Sequence, residues 1–341
     1  MDAAVKKKLL QSAISKINKK YGEDVILDTQ EVKKYDVIST GSLLLDSDLG
    51  IGGLPMGKIV ECAGPSGSGK SSMAYSLIAQ AQKAYPDKIV VYCDIEYGVN
   101  LSYMEQFGVD ITQDKLLFFQ PEYIEKAFET IEELVSTGLV SLVVLDSIGN
   151  SVTKTILDKG YDEATMGSLA KACATGLTKL NSVLGSTNTL LFLINTEYAK
   201  MSYTGGNETK GGATVKYLPS IRFRITKRDL LTSETDKDTV LGQELYYKII
   251  KNRMGAPFKE GSTILYFGKG FDQVSEIVEL TIKKELIQRA GAWYNFEIPE
   301  KKGSKKMIPM KFQGKDNVIN FFRNDENAFE YLKELINADD S

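Results

Sequence analysis

Histidine is absent from this chain, tryptophan occurs once, at Trp293, and there are only three cysteines and eight prolines in 341 residues. Without histidine there is no Ser-His-Asp triad and no imidazole ligand for a metal, which leaves carboxylates as the general bases. Cys62, Cys93 and Cys173 lack metal-ligand spacing. Two of them, Cys62 and Cys93, fall within apolar strand-like runs and read as small core residues in a reducing compartment. No apolar run is long enough to span a bilayer, and residues 1–8 lack the apolar centre of a signal peptide, so the expected setting is the cytoplasm with no membrane partner. The formal net charge is −3. Nucleic acid would therefore find no global attraction and would have to be held by local basic surfaces and backbone amides.

What is present centres on Gly64-Pro65-Ser66-Gly67-Ser68-Gly69-Lys70-Ser71, with Ser72 following. Two glycines separated by four residues and followed by Lys and Ser form a phosphate loop: the backbone curls so that its N–H groups point at phosphate oxygens. The Lys70 ammonium reaches the β- and γ-phosphates and the Ser71 hydroxyl ligates Mg²⁺. Context supports the match. Residues 58–63 read as a short buried strand, and Met73, Ala74, Leu77, Ile78 and Ala81 recur at helical spacing. A helix starting there directs its positive dipole end at the same anion. The competing reading is a flexible Gly/Ser turn.

From about residue 37 to 265, short apolar strands alternate with amphipathic helices, the sign of an α/β fold with a largely parallel sheet. Strands are expected at 89–93, 116–119, 142–146 and 189–194, and helices at about 71–84, 124–136 and 167–185. Residues 221–226 and 244–250 read as antiparallel edge strands. Two polar, Gly-rich connections, 156–167 and 197–213, read as neither helix nor strand. Residues 3–20 form a basic amphipathic helix that either packs on its own domain or docks on a neighbouring subunit. Beyond about residue 270 a small α/β unit ends in a helix at about 327–336. The expected division is 1–36, 37–270 and 271–341.

Four further features carry chemistry. Leu142-Val143-Val144-Leu145-Asp146 is an apolar strand ending in an acid; in a parallel sheet that end shares the carboxyl edge with the phosphate loop, so Asp146 joins Ser71 at Mg²⁺. The strand ending Asp94-Ile95-Glu96 offers either a carboxylate that orients water in line with the γ-phosphate or a helix-capping surface acid. Asn195, at the end of another strand, is placed to sense the γ-phosphate. Lys251-Asn252-Arg253 reads as a solvated strand end or as cations reaching for an anion.

Ile38-Ser39-Thr40-Gly41-Ser42-Leu43, Gly52-Gly53-Leu54-Pro55-Met56-Gly57, Lys251-Asn252 and Ala290-Gly291-Ala292-Trp293-Tyr294 occur in this order, and together they resemble the bacterial RecA recombinase family and its phage relatives from about residue 3 to 300. The resemblance implies a RecA-like ATPase core with an N-terminal oligomerisation arm and a small C-terminal α/β domain. It also implies ATP and Mg²⁺, helical polymerisation on single-stranded DNA, pairing with a homologous duplex, and service by single-strand-binding and loader proteins. By position it makes Glu96 the catalytic carboxylate, Tyr103 and Tyr266 adenine contacts, and Lys251 and Arg253 cations that reach the neighbouring subunit's γ-phosphate. The two Gly-rich connections become DNA loops, with Met166, Gly167 and Lys171 at the first and Lys200, Gly211 and Gly212 at the second. Lys216 resembles an interface residue, and Lys227, Arg228 and Lys248 line a weaker duplex site.

The chain also departs from the family pattern. Thr196 follows Asn195 where the family usually has Gln, Tyr97 replaces a common His, Glu197 and Ala199 make the second loop less basic, and the acidic tail shrinks to Asp339-Asp340. These differences lean towards a divergent, phage-encoded type of member. Two other functions share the same core: a ring-forming helicase or clock-type ATPase, and a DNA-coating protein that binds ATP without hydrolysing it.

Overall fold

A computed structural model describes residues 2–21, 35–159, 167–199, 207–233, 235–301 and 303–339. The chain forms two compact units, Met1–Asp36 and Val37–Ser341. The first is built on helix α1 (Ala3–Tyr21), which carries Lys19 and Lys20 in its last turn, where cations suit the helix dipole. Val5, Leu9 and Leu10 of α1 are exposed.

In the second unit, β1 (Val37–Ile38) and β2 (Leu54–Pro55) pair antiparallel around α2 (Leu43–Leu49). Strand β3 (Ile59–Gly64) then runs through the phosphate loop into α3 (Lys70–Ala84). Next come β4 (Ile89–Asp94), α4 (Leu101–Gln106), β5 (Leu116–Phe119), α5 (Ile124–Ser136) and β6 (Val140–Asp146). A 3₁₀ turn, Ile148–Asn150, leads to α6 (Lys154–Leu157) and α7 (Ser168–Thr187). Strands β7 (Leu190–Ala199) and β8 (Asn207–Thr209), helix α8 (Gly212–Tyr217), and strands β9 (Ile221–Thr232), β10 (Val240–Asn252), β11 (Glu260–Tyr266) and β12 (Gly270–Phe271) complete the large sheet. The chain ends with α9 (Gln273–Lys283), β13 (Gln288–Ala290), β14 (Trp293–Pro299), β15 (Met307–Gln313), α10 (Lys315–Asn324) and α11 (Glu326–Asp339).

The large sheet has the order β12-β11-β10-β9-β3-β7-β6-β4-β5, with β8 paired to β7, and a separate antiparallel sheet joins β13, β14 and β15. Strands β5, β4, β6, β7, β3 and β9 are mutually parallel. Alternate residues of each central strand enter opposite cores. Val60, Cys62, Tyr92, Val144 and Phe192 pack on the α3 side, while Ile59, Val91, Cys93, Val143 and Leu193 pack against α5 and α7. Burial on both faces is why these strands read as unbroken apolar runs. All three cysteines are free and buried. No described helix is long and apolar enough to cross a membrane.

Two expectations change. Residues 221–226 and 244–250 do pair antiparallel with each other, but they are interior strands. β9 sits between β10 and β3, parallel to the latter, and β10 is covered by β11. The charged alternation that suggested an edge comes instead from one polar face, on which Arg222, Arg224 and Lys248 find carboxylate partners. The described parts of the Gly-rich connections, read as neither helix nor strand, also contain regular elements. α6 occupies residues 154–157, and β7 continues to Ala199 to pair with β8 in the register Glu197↔Thr209.

A long-range tie joins α9 to the start of α2. Glu276, fully buried, accepts from Ser42 Oγ at 2.5 Å, from Leu43 N at 2.7 Å and from the Thr263 hydroxyl. Beside it, buried Asp46 accepts from Ser39 Oγ at 2.5 Å and from Thr40 N and Oγ1 at 2.9 and 2.8 Å. Burial raises both carboxyls to about 7 against those hydrogen bonds.

Candidate nucleotide site

Because β3, β4, β6 and β7 are parallel, their carboxyl ends open on one edge: Gly64 pairs with Thr196, and Asp94 with Asp146. Ligands bind in the crevice at such an edge. Gly64 itself tolerates no side chain, since a Cβ there would lie 2.2 Å from the Ile225 carbonyl oxygen on β9. Gly69 closes the loop at φ +91° as the residue before α3, again where a Cβ would collide, 2.7 Å from Gln243 Nε2. The first N–H groups of α3 have no partner within the helix, and they face the loop with the positive end of its dipole.

Two further observations fit a bound polyphosphate. Ser68 Oγ is buried with no hydrogen-bond partner among the described residues. The Lys70 ammonium folds back over the loop and donates to the carbonyls of Gly64 and Pro65 at 3.0 and 2.7 Å, so it stands over the cradle formed by Pro65, Ser66, Gly67 and Ser68. Ser72 lies in the first turn of α3.

Ser71 Oγ donates to Asp146 Oδ2 at 2.8 Å, and Tyr92 OH donates to the same oxygen at 2.8 Å. Burial pushes the Asp146 carboxyl above its ordinary range, against these two bonds, with the negative charges of Glu96 and Asp94 adding to the rise. A hydroxyl and a carboxylate meeting beside a phosphate cradle form the oxygen donor set that Mg²⁺ takes. The residue after Asp146 reaches the third acid: Ser147 Oγ donates to Glu96 Oε1, as does Asn150 Nδ2 at 2.9 Å. Asp94 faces its own loop, accepting from Gly98 N, Val99 N and Gln120 Nε2 at 3.4, 3.2 and 3.0 Å. Of the two acids at the end of β4, it is therefore Glu96 that points towards Asp146's neighbour.

Tyr103 on α4 packs edge-on against Phe107 and Tyr75, with ring centroids 5.2 and 6.2 Å away. Tyr266 ends β11, its hydroxyl 3.4 Å from Arg323 Nη2. The turn after it approaches α4 so closely that a Cβ on Gly268 would lie 2.4 Å from Gln106 Oε1. Tyr103 and Tyr266 thus flank a junction between α4 and the β11–β12 turn.

Asn195 is fully buried and donates to Glu61 Oε1 at 2.9 Å and to the Lys210 carbonyl at 3.0 Å, leaving its Oδ1 unpartnered among the described residues. Glu61 in turn is ion-paired with Arg222, and Lys251 is the register partner of Arg222. Burial raises the Glu61 carboxyl although Arg222 opposes the shift. Desolvation lowers the Lys251 ammonium, helped by the cations Arg253 and Arg222. Lys251 Nζ donates to the carbonyls of Tyr217 and Pro219 at 2.5 and 2.7 Å, and Arg253 Nη2 to that of Tyr217 at 3.1 Å. These two cations are not near the phosphate loop of their own chain. Gly64 faces Ile225, which pairs with Tyr247, and Lys251 lies four residues further along β10, towards the amino end of β3. At strand rise that is about 13 Å.

Met166 and Lys200 lie outside the described residues. Gly167 precedes α7 at φ +82°, and Lys171 in the first turn lines a groove of about 580 Å³ that also presents Glu125, Glu129 and Glu132 from α5. Gly211 and Gly212 face inward: a Cβ on either would lie 2.6 Å from Val215 or Ala170. Lys216 pairs with Glu208 at 2.5 Å and Lys248 with Glu260 at 2.9 Å. Arg228 lies over the Tyr246 ring at 4.3 Å, and Lys227 is exposed.

The sequence reading missed Tyr92, Ser147, Asn150, Glu61 and Arg222. A signal existed for one of them, because Glu61 is a charge in the middle of the otherwise apolar Ile59-Val60-Glu61-Cys62-Ala63.

A family model described as the RecA N-terminal domain matches residues 8–272. Protein RecA of Acinetobacter baumannii is 34% identical over 335 residues, which cover 97% of this chain and 91% of that protein. Protein RecA of Acinetobacter baylyi is 35% identical over 320 residues, covering 93% and 87%.

Proposed function

The chain belongs to the RecA family of DNA recombination and repair proteins, and from that premise we propose that it is a DNA-dependent ATPase that polymerises on single-stranded DNA and drives homologous pairing and strand exchange. The observation that carries this reading is the meeting of the phosphate loop, the Ser71–Asp146 bond and Glu96 at one sheet edge, with Lys251 and Arg253 at the opposite end of the strands. Such an arrangement supports a site completed by a second subunit, whose cations face the loop of the first.

Lys70 and the loop N–H groups hold the β- and γ-phosphates, Tyr103 and Tyr266 flank the base, and Ser71 and Asp146 hold Mg²⁺. When bound, that ion would neutralise charge on the phosphate oxygens. Glu96 takes a proton from the attacking water, and Asn195 reads the γ-phosphate by turning its Nδ2 donor, held here by Glu61 and the Lys210 carbonyl, to a phosphate oxygen. Lys251 and Arg253 of a neighbouring subunit balance the charge that develops on the transferred group, so turnover depends on assembly.

Residues 1–36 serve as the oligomerisation arm, with the exposed Val5, Leu9 and Leu10 as its docking side. The segments 156–167 and 197–213, with Met166, Gly167, Lys171, Lys200, Gly211 and Gly212, hold single-stranded DNA, while Lys227, Arg228 and Lys248 meet the incoming duplex. Single-strand-binding and loader proteins are the matching partners, and the buried free thiols suit a reducing cytoplasm.

The test is ATP hydrolysis with and without single-stranded DNA, together with joint-molecule formation. The expected result is strong stimulation by DNA and joint molecules in the presence of ATP and Mg²⁺. Absence of both overturns the reading, as would closed rings in place of helical filaments under electron microscopy.

A further inference from the structure

We propose that Asn150 is a positioning residue for Glu96, fixing one carboxylate oxygen so that the other is presented to the attacking water. This rests on the reading of Glu96 as the general base.

Glu96 is exposed on a loop, and a free glutamate side chain there samples several rotamers. Both of its hydrogen bonds, from Ser147 Oγ and Asn150 Nδ2, go to Oε1. Oε2 has no hydrogen bond among the described residues and is left to accept a proton. The Asn150 amide must donate in this contact, because an ionised carboxylate only accepts.

The donor is held as firmly as the sheet. Asn150 ends the 3₁₀ turn that leaves β6 directly after Asp146. Ile148 of that turn is fully buried in the α5–α7 core, and Gly149 is wedged against β7, where a Cβ would lie 3.1 Å from Thr196 N. The turn is closed by Ser151 N to the Ile148 carbonyl at 3.2 Å and by Ser151 Oγ to the Ser147 carbonyl at 2.8 Å. On the acceptor side, Ile95 N donates to the Asp146 carbonyl at 2.8 Å, and Tyr97 takes φ +58°. Backbone on both sides thus aims Glu96 at the turn, and Asn150 supplies the last constraint. A misplaced base loses rate steeply, since proton transfer depends on near-attack geometry.

Asn150 is exposed, so its substitution leaves the core intact. The experiment uses the full chain with ATP, Mg²⁺ and oligo(dT). Asn150→Ala should lower kcat by roughly five- to tenfold, the scale of one exposed hydrogen bond's net contribution, with KM for ATP unchanged. Asn150→Gln, which keeps the donor, should recover part of the loss, and Asn150→Asp, which sets a like charge beside Glu96, should lower kcat further. Glu96→Gln should lose at least about a hundredfold. Adding Asn150→Ala to Glu96→Gln should then cost nothing more, because the group being positioned no longer acts as a base. Wild-type kcat in both Asn150→Ala and Asn150→Asp, alongside an inactive Glu96→Gln, overturns the proposal. So does an equal loss from Asn150→Ala in the two backgrounds, which marks a role independent of Glu96. Full turnover in Glu96→Gln instead overturns the underlying reading of the base.

Discussion

At the scale of single residues, the buried polar groups decide most. Glu61 has no exposed surface and holds both Arg222 and Asn195, so removing its carboxylate leaves a guanidinium unpaired in a largely dry site. Glu61→Ala should cost about 3–5 kcal/mol of unfolding free energy, read from a urea transition; a loss under 1 kcal/mol would mean that water takes the carboxylate's place. Lys251 poses a different question, because its hydrogen bonds among the described residues go to backbone carbonyls. Lys251→Ala should leave ATP binding within about twofold while DNA-stimulated turnover falls by at least about a hundredfold, the scale on which a charge supplied at the transition state acts. Measuring binding with a fluorescent ATP analogue and turnover in parallel separates the two, and unchanged turnover would remove Lys251 from the reaction. The Ser71–Asp146 pairing and the Lys70 position follow from motif spacing. The donors on Glu96 do not, because Ser147 and Asn150 belong to a turn whose sequence has no pattern of its own.

At the scale of elements, two glycines of one helix separate packing from propensity. Gly176 of α7 meets Phe128 of α5, where a Cβ would lie 2.1 Å from the ring, whereas Gly185 of the same helix has open space around it. The Phe128 ring is buried and cannot swing away, so Gly176→Ala should destabilise by about 1–3 kcal/mol through overpacking. Gly185→Ala should stabilise by up to about 1 kcal/mol, since alanine loses less backbone entropy in a helix. Opposite shifts of the urea midpoint are the expected outcome; shifts of the same sign would contradict the packing argument. The helices and parallel strands were legible from their periodicity because each buries a regular stripe or both faces. The positions of β9 and β10 were not, because alternation along a strand reports what its faces touch, and not whether another strand covers its edge.

At the scale of the whole molecule, Glu276 joins α9 to the first residue of α2 across a separation of 233 positions. Its carboxyl and that of Asp46 are raised to about 7 in the folded chain, from about 4 when unfolded. Between those values the folded state binds more protons than the unfolded state, so this contribution to stability is full below about pH 4 and is lost as pH rises through about 7. Urea midpoints at pH 5 and pH 8 should therefore show a fall that shrinks in Glu276→Gln, whose amide does not titrate in this range. An unchanged fall would place the pH dependence elsewhere. By itself the sequence determined the phosphate loop, the acids at the strand ends and the α/β class, because each is written in neighbouring residues: a glycine spacing, an apolar run, a helical or twofold period. Only the tertiary structure decided that Asn150 reaches Glu96 across 54 positions and that Arg222 reaches Glu61 across 161. It alone also decided that Lys251 lies at the opposite end of the strands from its own phosphate loop. The reason is physical: such pairings depend on strand order and register, which are set by how the whole chain closes its two cores around one sheet, and no local stretch encodes them.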